Sequence, residues 1–135
     1  MCPVLATVAP APGPALIVDA DLDTREMYAA WLAFSGFNIL QARTADEALA
    51  HARTQAPSVI TLEIGLAGAK DGCELCVALK EDASTRAIPI LVVTAWALGG
   101  HIERARLAGC DAVLVKPVSP QVLLDEIHRL LGRTA

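Results

Sequence analysis

The sequence predicts an α/β fold, a five-stranded parallel sheet with helices on both faces. Two observations carry this expectation. Short β-branched runs alternate with longer segments of helical spacing five times along the 135 residues. The composition suits layers of helix on sheet: 54% of residues are hydrophobic and mean hydropathy is +0.47, but only 4% are aromatic, too few for an aromatic-rich sandwich. A chain of this length is one domain with enough apolar material for its own core.

The elements follow in order. "ALIVD" (15–19) is β-branched and bounded by Pro14 and a cluster of acids, so it reads as a buried strand. From Leu22 to Ser35 the spacing is helical, with Met27, Trp31 and Phe34 recurring at steps of four and three. Asp21 or Asp23 can cap its start, and Gly36 suits a left-handed stop. "FNILQA" (37–42) is the second strand, and Thr44-Ala45-Asp46-Glu47 is a capping box for a helix that Pro57 closes. "SVITLE" (58–63) is the third strand, followed by a loop through Gly65 and Gly68 and a helix led by Asp71-Gly72. "IPILVVT" (88–94) is the fourth strand, with Pro89 near its start. "IERARLAG" is helical, "AVLVK" (112–116) is the fifth strand, and Ser119-Pro120 opens a last helix to Leu131. Glycine is costly in a helix, so Gly99-Gly100 predicts a shortened or mobile start to the fourth helix, with Trp96 partly exposed nearby.

Charge and composition exclude several functions. The net charge is −4 with no basic stripe, which argues against a nucleic-acid surface. No apolar run approaches the roughly 20 residues needed to span a bilayer. The N-terminus "MCPVLATVAPAPGPA" lacks a basic region, and its prolines interrupt any continuous apolar segment, so it does not read as a secretory signal. Residues 1–14 read as a flexible Pro/Ala-rich leader and 15–132 as the folded domain. Cys2, Cys73, Cys76 and Cys110 read as reduced thiols in a cytoplasmic protein, because a chain with its own core does not need disulfides.

In an open parallel sheet the ligand crevice lies beyond the carboxyl ends of the strands, where strand order reverses. The residues there are Asp19, Glu63, Thr94 and Lys116, with Gln41 on the second strand. Two acids, a hydroxyl and an amine are a set able to hold a divalent cation and a phosphoryl group. Strand ends are polar in most proteins, so the weight rests on all four occurring together, each on its own strand.

From about Ala15 to Leu131 the chain resembles a response-regulator receiver domain, through "LIVDADLD", "PSVITLEIGLAGAKDG", "IPILVVTAWAL", "AGCDAVLVKP" and "SPQVLLDEIHRLL". The resemblance implies a flavodoxin-like (βα)5 fold with strand order 2-1-3-4-5. It also implies two-component signalling or a phosphorelay: an Asp ending the third strand accepts a phosphoryl group from a histidine kinase, a pair of acids after the first strand binds magnesium, and a Thr or Ser and a Lys sense the phosphorylated state. Asp19 matches the first of the paired acids, Thr94 the hydroxyl, and Lys116-Pro117 the Lys-Pro step.

Three departures from that pattern bear on one chemistry. Glu63 stands at the phosphoacceptor position, where the extra methylene displaces the carboxylate by about 1.5 Å. Misplacement of that order costs on the order of 100-fold in rate. Glu63 either imitates part of an acyl phosphate or forms an ion pair with Lys116. Ala20 replaces the direct metal-binding acid, and Asp21 reaches the pocket only with a helpful turn, so magnesium binding is expected to be weak or absent and no other cofactor is expected. Val113 replaces the ring that moves with Thr94 in the family. The loop "AGAKDG" is one residue longer than usual and lacks the common proline.

The resulting expectation is an atypical, stand-alone receiver of the cytoplasm. It is no enzyme, is not phosphorylated by the usual route, and has a pocket of Asp19, Asp21, Thr94 and Lys116 around Glu63. Output is expected through Trp96 and Val113 to another signalling protein (a histidine kinase, a regulator or an output protein) or to a second copy of the chain, with neither nucleic acid nor membrane as partner. The alternative is a phosphorylation-competent receiver that uses Glu63 or a neighbouring acid such as Asp19 or Asp71. "LIVDADLDT" also resembles the first motif of haloacid-dehalogenase phosphotransferases, but the acidic pair after the lysine is missing. Asp19, Asp21 and Asp23 imitate the start of an EF-hand, yet Thr24 and Ala30 occupy its Gly and Glu positions. Cys73-x-x-Cys76 falls on one helix face near an N-terminus, which can lower a thiol pKa, although core packing is the plainer role. His51, His101 and His128 are scattered over solvated faces.

Overall fold

Side chains alternate across a strand, so five strands buried on both faces need two apolar layers. The computed structural model describes residues 13–134, and residues 1–12 of the expected leader lie outside the described residues. The strands are β1 (Ala15–Val18), β2 (Ile39–Ala42), β3 (Val59–Leu62), β4 (Ile90–Thr94) and β5 (Ala112–Val115). The helices are α1 (Leu22–Phe34), α2 (Ala45–Gln55), α3 (Gly72–Glu81), α4 (His101–Leu107) and α5 (Pro120–Thr134). All strand pairs are parallel, as the alternation predicts, and they follow the order β2-β1-β3-β4-β5 that the resemblance implies.

One layer joins Leu16, Val18, Ile60, Leu62, Ile90 and Val92 to the inner faces of α2, α3 and α4. The other joins Ala15, Ile17, Val59, Leu91 and Val93 to Tyr28 and Leu32 of α1 and to Leu123 and Ile127 of α5. The chain reversal between β1 and β3, with β2 on the far side of β1, opens the crevice above Asp19 and Glu63.

Local chemistry sets the helix starts. Asp21 accepts from the Thr24 amide at 3.0 Å, and Thr44 accepts from the Glu47 amide at 3.1 Å. Glu47 returns its carboxylate to the Arg43 amide, one residue before the cap. A complete capping box forms at α3, where the Asp71 and Glu74 side chains each accept from the other's amide at 2.9 Å. Ser119 caps α5 through the Val122 amide. By contrast α4 has seven residues and no side-chain cap, because Gly99 and Gly100 take left-handed φ of 75° and 81° just before it. This is the shortened start expected from the paired glycines.

In α1 the helical spacing is as expected, but the helix is rotated. Tyr28, Ala29 and Leu32 are buried, whereas Met27 is exposed and Phe34 is 95% exposed.

Candidate functional site at the strand ends

Asp19, Glu63 and Lys116 each stand one residue past a strand, and Thr94 ends β4. The register of parallel pairing brings them to one edge. Lys116 reaches across it, with Nζ 2.9 Å from Asp19 Oδ2 and 2.9 Å from Glu63 Oε2. Asp19, Glu63 and Thr94 are buried, so these charges interact with little help from solvent. Burial by itself would lower the Lys116 pKa, but the Asp19 and Glu63 carboxylates outweigh it and hold the ammonium above its ordinary range. The buried Tyr28 ring lies 6.0 Å from Lys116 Nζ, and burial pushes its hydroxyl pKa up.

The extra carbon of Glu63 is absorbed by folding back. Its Oε1 accepts from the next amide, Ile64 N, at 2.7 Å, while Oε2 accepts from Ala95 N at 3.1 Å and meets Lys116. Asp19 is similarly committed: Oδ1 accepts from Asp21 N at 2.9 Å and Oδ2 from Lys116. Thr94 Oγ1 accepts from the Trp96 amide at 2.9 Å, so its hydroxyl serves the loop after β4. Gly72 forms the floor, since a Cβ there would lie 2.3 Å from the Glu63 carbonyl oxygen.

Several expected residues stand elsewhere. Asp21 does not join the cluster: its carboxylate accepts from the Thr24 amide and hydroxyl, because the turn after β1 makes it the cap of α1. Those hydrogen bonds, the hydroxyl's first, hold its carboxyl below the usual range. Val113, expected at an output surface, is half-buried in the layer that holds Ala105 and Ala108, because strand alternation turns it under α4. Trp96 is partly exposed, as expected. Cys73 and Cys76 are buried, and burial raises rather than lowers their thiol pKa values, that of Cys76 to about 12. His101 is only partly solvated. Its ring packs on Trp96, with centroids 4.8 Å apart, and its Nδ1 is buried without a hydrogen-bond partner among the described residues.

Sequence reasoning missed Arg25. Its Nη1 donates to the Asp19 carbonyl at 2.8 Å and its Nε to Gln41 Oε1 at 2.9 Å, which fixes a guanidinium at the rim beside Ala20. Its place four residues after a capping acid was the one available signal.

The donor set does not fit a divalent cation. Asp19 and Glu63 share the Lys116 ammonium, Ala20 offers no side-chain oxygen, and Asp21 is used by the helix. Among the described residues, no group of three or more His, Cys, Asp or Glu is arranged to hold a metal ion.

Strand order, an acid after β1, Thr94 ending β4 and a lysine after β5 specify a family together, and the response regulator receiver domain model matches residues 15–128. The chain belongs to the response-regulator receiver family. This receiver is 33% identical over 121 residues to the polar-differentiation response regulator DivK of Brucella anthropi, covering 90% of this chain and 98% of that protein. It is 38% identical over 98 residues to DivK of Brucella ovis, covering 73% and 79%. Among solved structures, the CheY-like response regulator receiver domain protein of Methanospirillum hungatei superposes with TM-score 0.84 at 28% identity, covering 90% and 95%. The chemotaxis response regulator CheY4 of Vibrio cholerae superposes with TM-score 0.80 at 26% identity, covering 87% and 98%. The chain is thus a receiver of two-component signalling, a module that works through other signalling proteins. No helix among the described residues is long and apolar enough to cross a membrane.

Proposed function

We propose that this chain is an atypical receiver that is not phosphorylated by the usual route, catalyses no reaction and signals in the cytoplasm by protein contact. One observation carries this reading. The carboxylate at the phosphoacceptor position is Glu63, and both its oxygens are occupied, by Ile64 N on one side and by Ala95 N and Lys116 on the other. In-line attack on a phosphodonor needs a free, aligned oxygen, and here it first requires breaking a buried ion pair. The ion pair with Lys116 also favours a neutralising role for Glu63 over imitation of an acyl phosphate, which has more charge and more oxygens. With Ala20 beside it, the pocket binds magnesium weakly or not at all.

The partner under this reading is another signalling protein, whether a histidine kinase, a regulator or an output protein; a second copy of the chain is a further form of contact. The deciding experiment is incubation with acetyl phosphate and magnesium, followed by intact mass measurement. The expected outcome is an unchanged mass. A stoichiometric gain of about 80 Da, one phosphoryl group, that disappears in Glu63→Gln or Asp19→Asn would overturn the reading. Titration with magnesium to millimolar levels is expected to leave tryptophan fluorescence without a saturable change.

A further inference from the structure

Outside the strand-end site, three thiols share one apolar layer. Cys73 and Cys76 lie on the buried face of α3, and Cys110, in the turn between α4 and β5, is partly buried against the same layer. That turn runs along α3. The Cys76 thiol donates to the Ala108 carbonyl, with Sγ 3.5 Å from the oxygen. One helical turn further on, the Lys80 stem underlies Gly109, where a Cβ would stand 3.2 Å from Lys80 Cγ, and Lys80 Nζ is 3.1 Å from Asp111 Oδ2. Cys110 therefore has both its chain neighbours against the α3 face that presents Cys76. Apart from burial, the neighbour that acts most on the Cys76 pKa is the Cys110 thiol, ahead of Lys80 and of Cys73.

We propose that Cys76 and Cys110 are a modification site, which a hydroperoxide oxidises to a disulfide that fastens the end of α4 to α3. Cys110 is reached first, because it is partly exposed while Cys76 is fully buried. Its thiolate, having lost its proton to water, attacks the peroxide. An S–O bond forms, the O–O bond breaks, and water or an alcohol leaves, so that Cys110 becomes a sulfenic acid. Cys76 in turn loses its proton to water and attacks this sulfur; the S–S bond forms, the S–O bond breaks and water leaves. The two thiols are oxidised by two electrons in all, and hydrogen peroxide is reduced to two waters. Cys73 is not the partner of Cys76. On a helix, Cβ atoms three residues apart are about 5–6 Å from each other, beyond the ~3.5–4.5 Å that a disulfide spans. Burial keeps both thiols protonated at neutral pH, so the pair answers sustained oxidation, over hours, and ignores brief exposure. The consequence falls on α4. This seven-residue helix has no side-chain cap at its start, and its last turn is the end that a bond to Cys110 would hold.

The test uses the full chain carrying Cys2→Ser, which leaves three of the four thiols. It is held in millimolar hydrogen peroxide at neutral pH, and free thiols are then counted in denaturant. The count should fall from three to one and return to three with dithiothreitol. Tryptic mapping without reduction should join the peptide of residues 71–80 to that of residues 107–129, with fragmentation placing the bond at Cys76. In the oxidised chain the Ala108 and Cys110 amides should exchange about tenfold more slowly, while Leu16 and Ile60 in the sheet keep their rates. Cys76→Ala and Cys110→Ala should each abolish the joined peptides. Should Cys76→Ala fail to fold, Cys110→Ala decides alone, since it alters a partly exposed turn. A bond between Cys73 and Cys76 would overturn the pairing. So would sulfinic acid at Cys110 with no joined peptides, or joined peptides found only in a covalent dimer. A bond that forms and leaves Ala108 and Cys110 exchange unchanged would overturn the fastening of α4.

Discussion

At the strand ends, Asp19, Glu63 and Lys116 are charged groups drawn into a buried cluster, and each finds a partner within 3.1 Å. Along the neighbouring α4–β5 edge, Leu98 and Leu107 are 84% and 87% exposed with an apolar surface left in water. The two regions share β4 and β5, so the difference does not come from the sheet. It comes from the helix that covers it. Strand alternation puts Val115 on the same face as Val113, but the first turn of α4 is replaced by the Gly99-Gly100 loop, and Val115 at the upper end of β5 is uncovered. The charged cluster satisfies its own groups, while the edge leaves apolar side chains in solvent. Substitutions in each region should therefore behave in opposite ways.

The largest effect is expected at Lys116. Lys116→Met leaves Asp19 and Glu63 as two buried carboxylates with no cation between them, at a cost of about 3–5 kcal/mol in urea unfolding at neutral pH. The native chain should show the pair at alkaline pH. Because its folded pKa lies above the ordinary 10.5, the Lys116 contribution is complete below that value and is lost as pH rises through the higher folded one. The methionine variant should lack that alkaline component. A variant as stable as the parent would show that the cluster is no more than surface charge.

Gly72→Ala comes next. The new methyl group would sit 2.3 Å from the Glu63 carbonyl and 2.8 Å from Ile64 Cα, both backbone atoms that cannot turn aside. Overpacking of this kind costs about 1–3 kcal/mol, measured as a lowered thermal midpoint by circular dichroism. The Ile64 amide, held by Glu63, should exchange faster as well. Asp71→Ala follows. It removes one half of the capping box and the 3.1 Å contact with Arg104, with an expected loss of about 1 kcal/mol in urea.

These sites differ in how visible they were in the sequence. The five strands and the four strand-end residues were legible because β-branched runs, capping residues and the Lys116-Pro117 step are local signals of fixed spacing, whereas the strand order followed only from the resemblance to the receiver family. Asp21 was read both as a cap of α1 and as a pocket residue: the cap reading holds, and the pocket reading does not, because alternation along an extended segment does not reveal where a turn begins and the turn gave its carboxylate to Thr24. Met27, Trp31 and Phe34 marked α1 as a helix without marking its buried side, since Tyr28 and Leu32 supply a competing stripe that faces the sheet. The seat of Trp96 on Gly65 joins residues 31 positions apart (96 − 65), and nothing in either segment announces it. The buried Nδ1 of His101 follows from that contact and was equally hidden.

The smallest effect tests the other side of the comparison. Leu98→Ser combined with Leu107→Ser alters two large side chains that the fold leaves almost wholly in solvent. Neither removes core volume, so the unfolding free energy in urea should stay within about 0.5 kcal/mol of the parent. Ala105 lies two residues before Leu107 on the same short helix but is fully buried, and it supplies the internal contrast. Ala105→Leu should cost about 1–3 kcal/mol by overpacking the layer beneath α4. If the double serine variant loses as much as that, the leucines already have partners within the chain, and the edge is not the open surface that separates it from the pocket. If stability holds, Leu98 in the loop before α4 and Leu107 at the last residue of α4 contribute nothing to this fold that water does not equally supply.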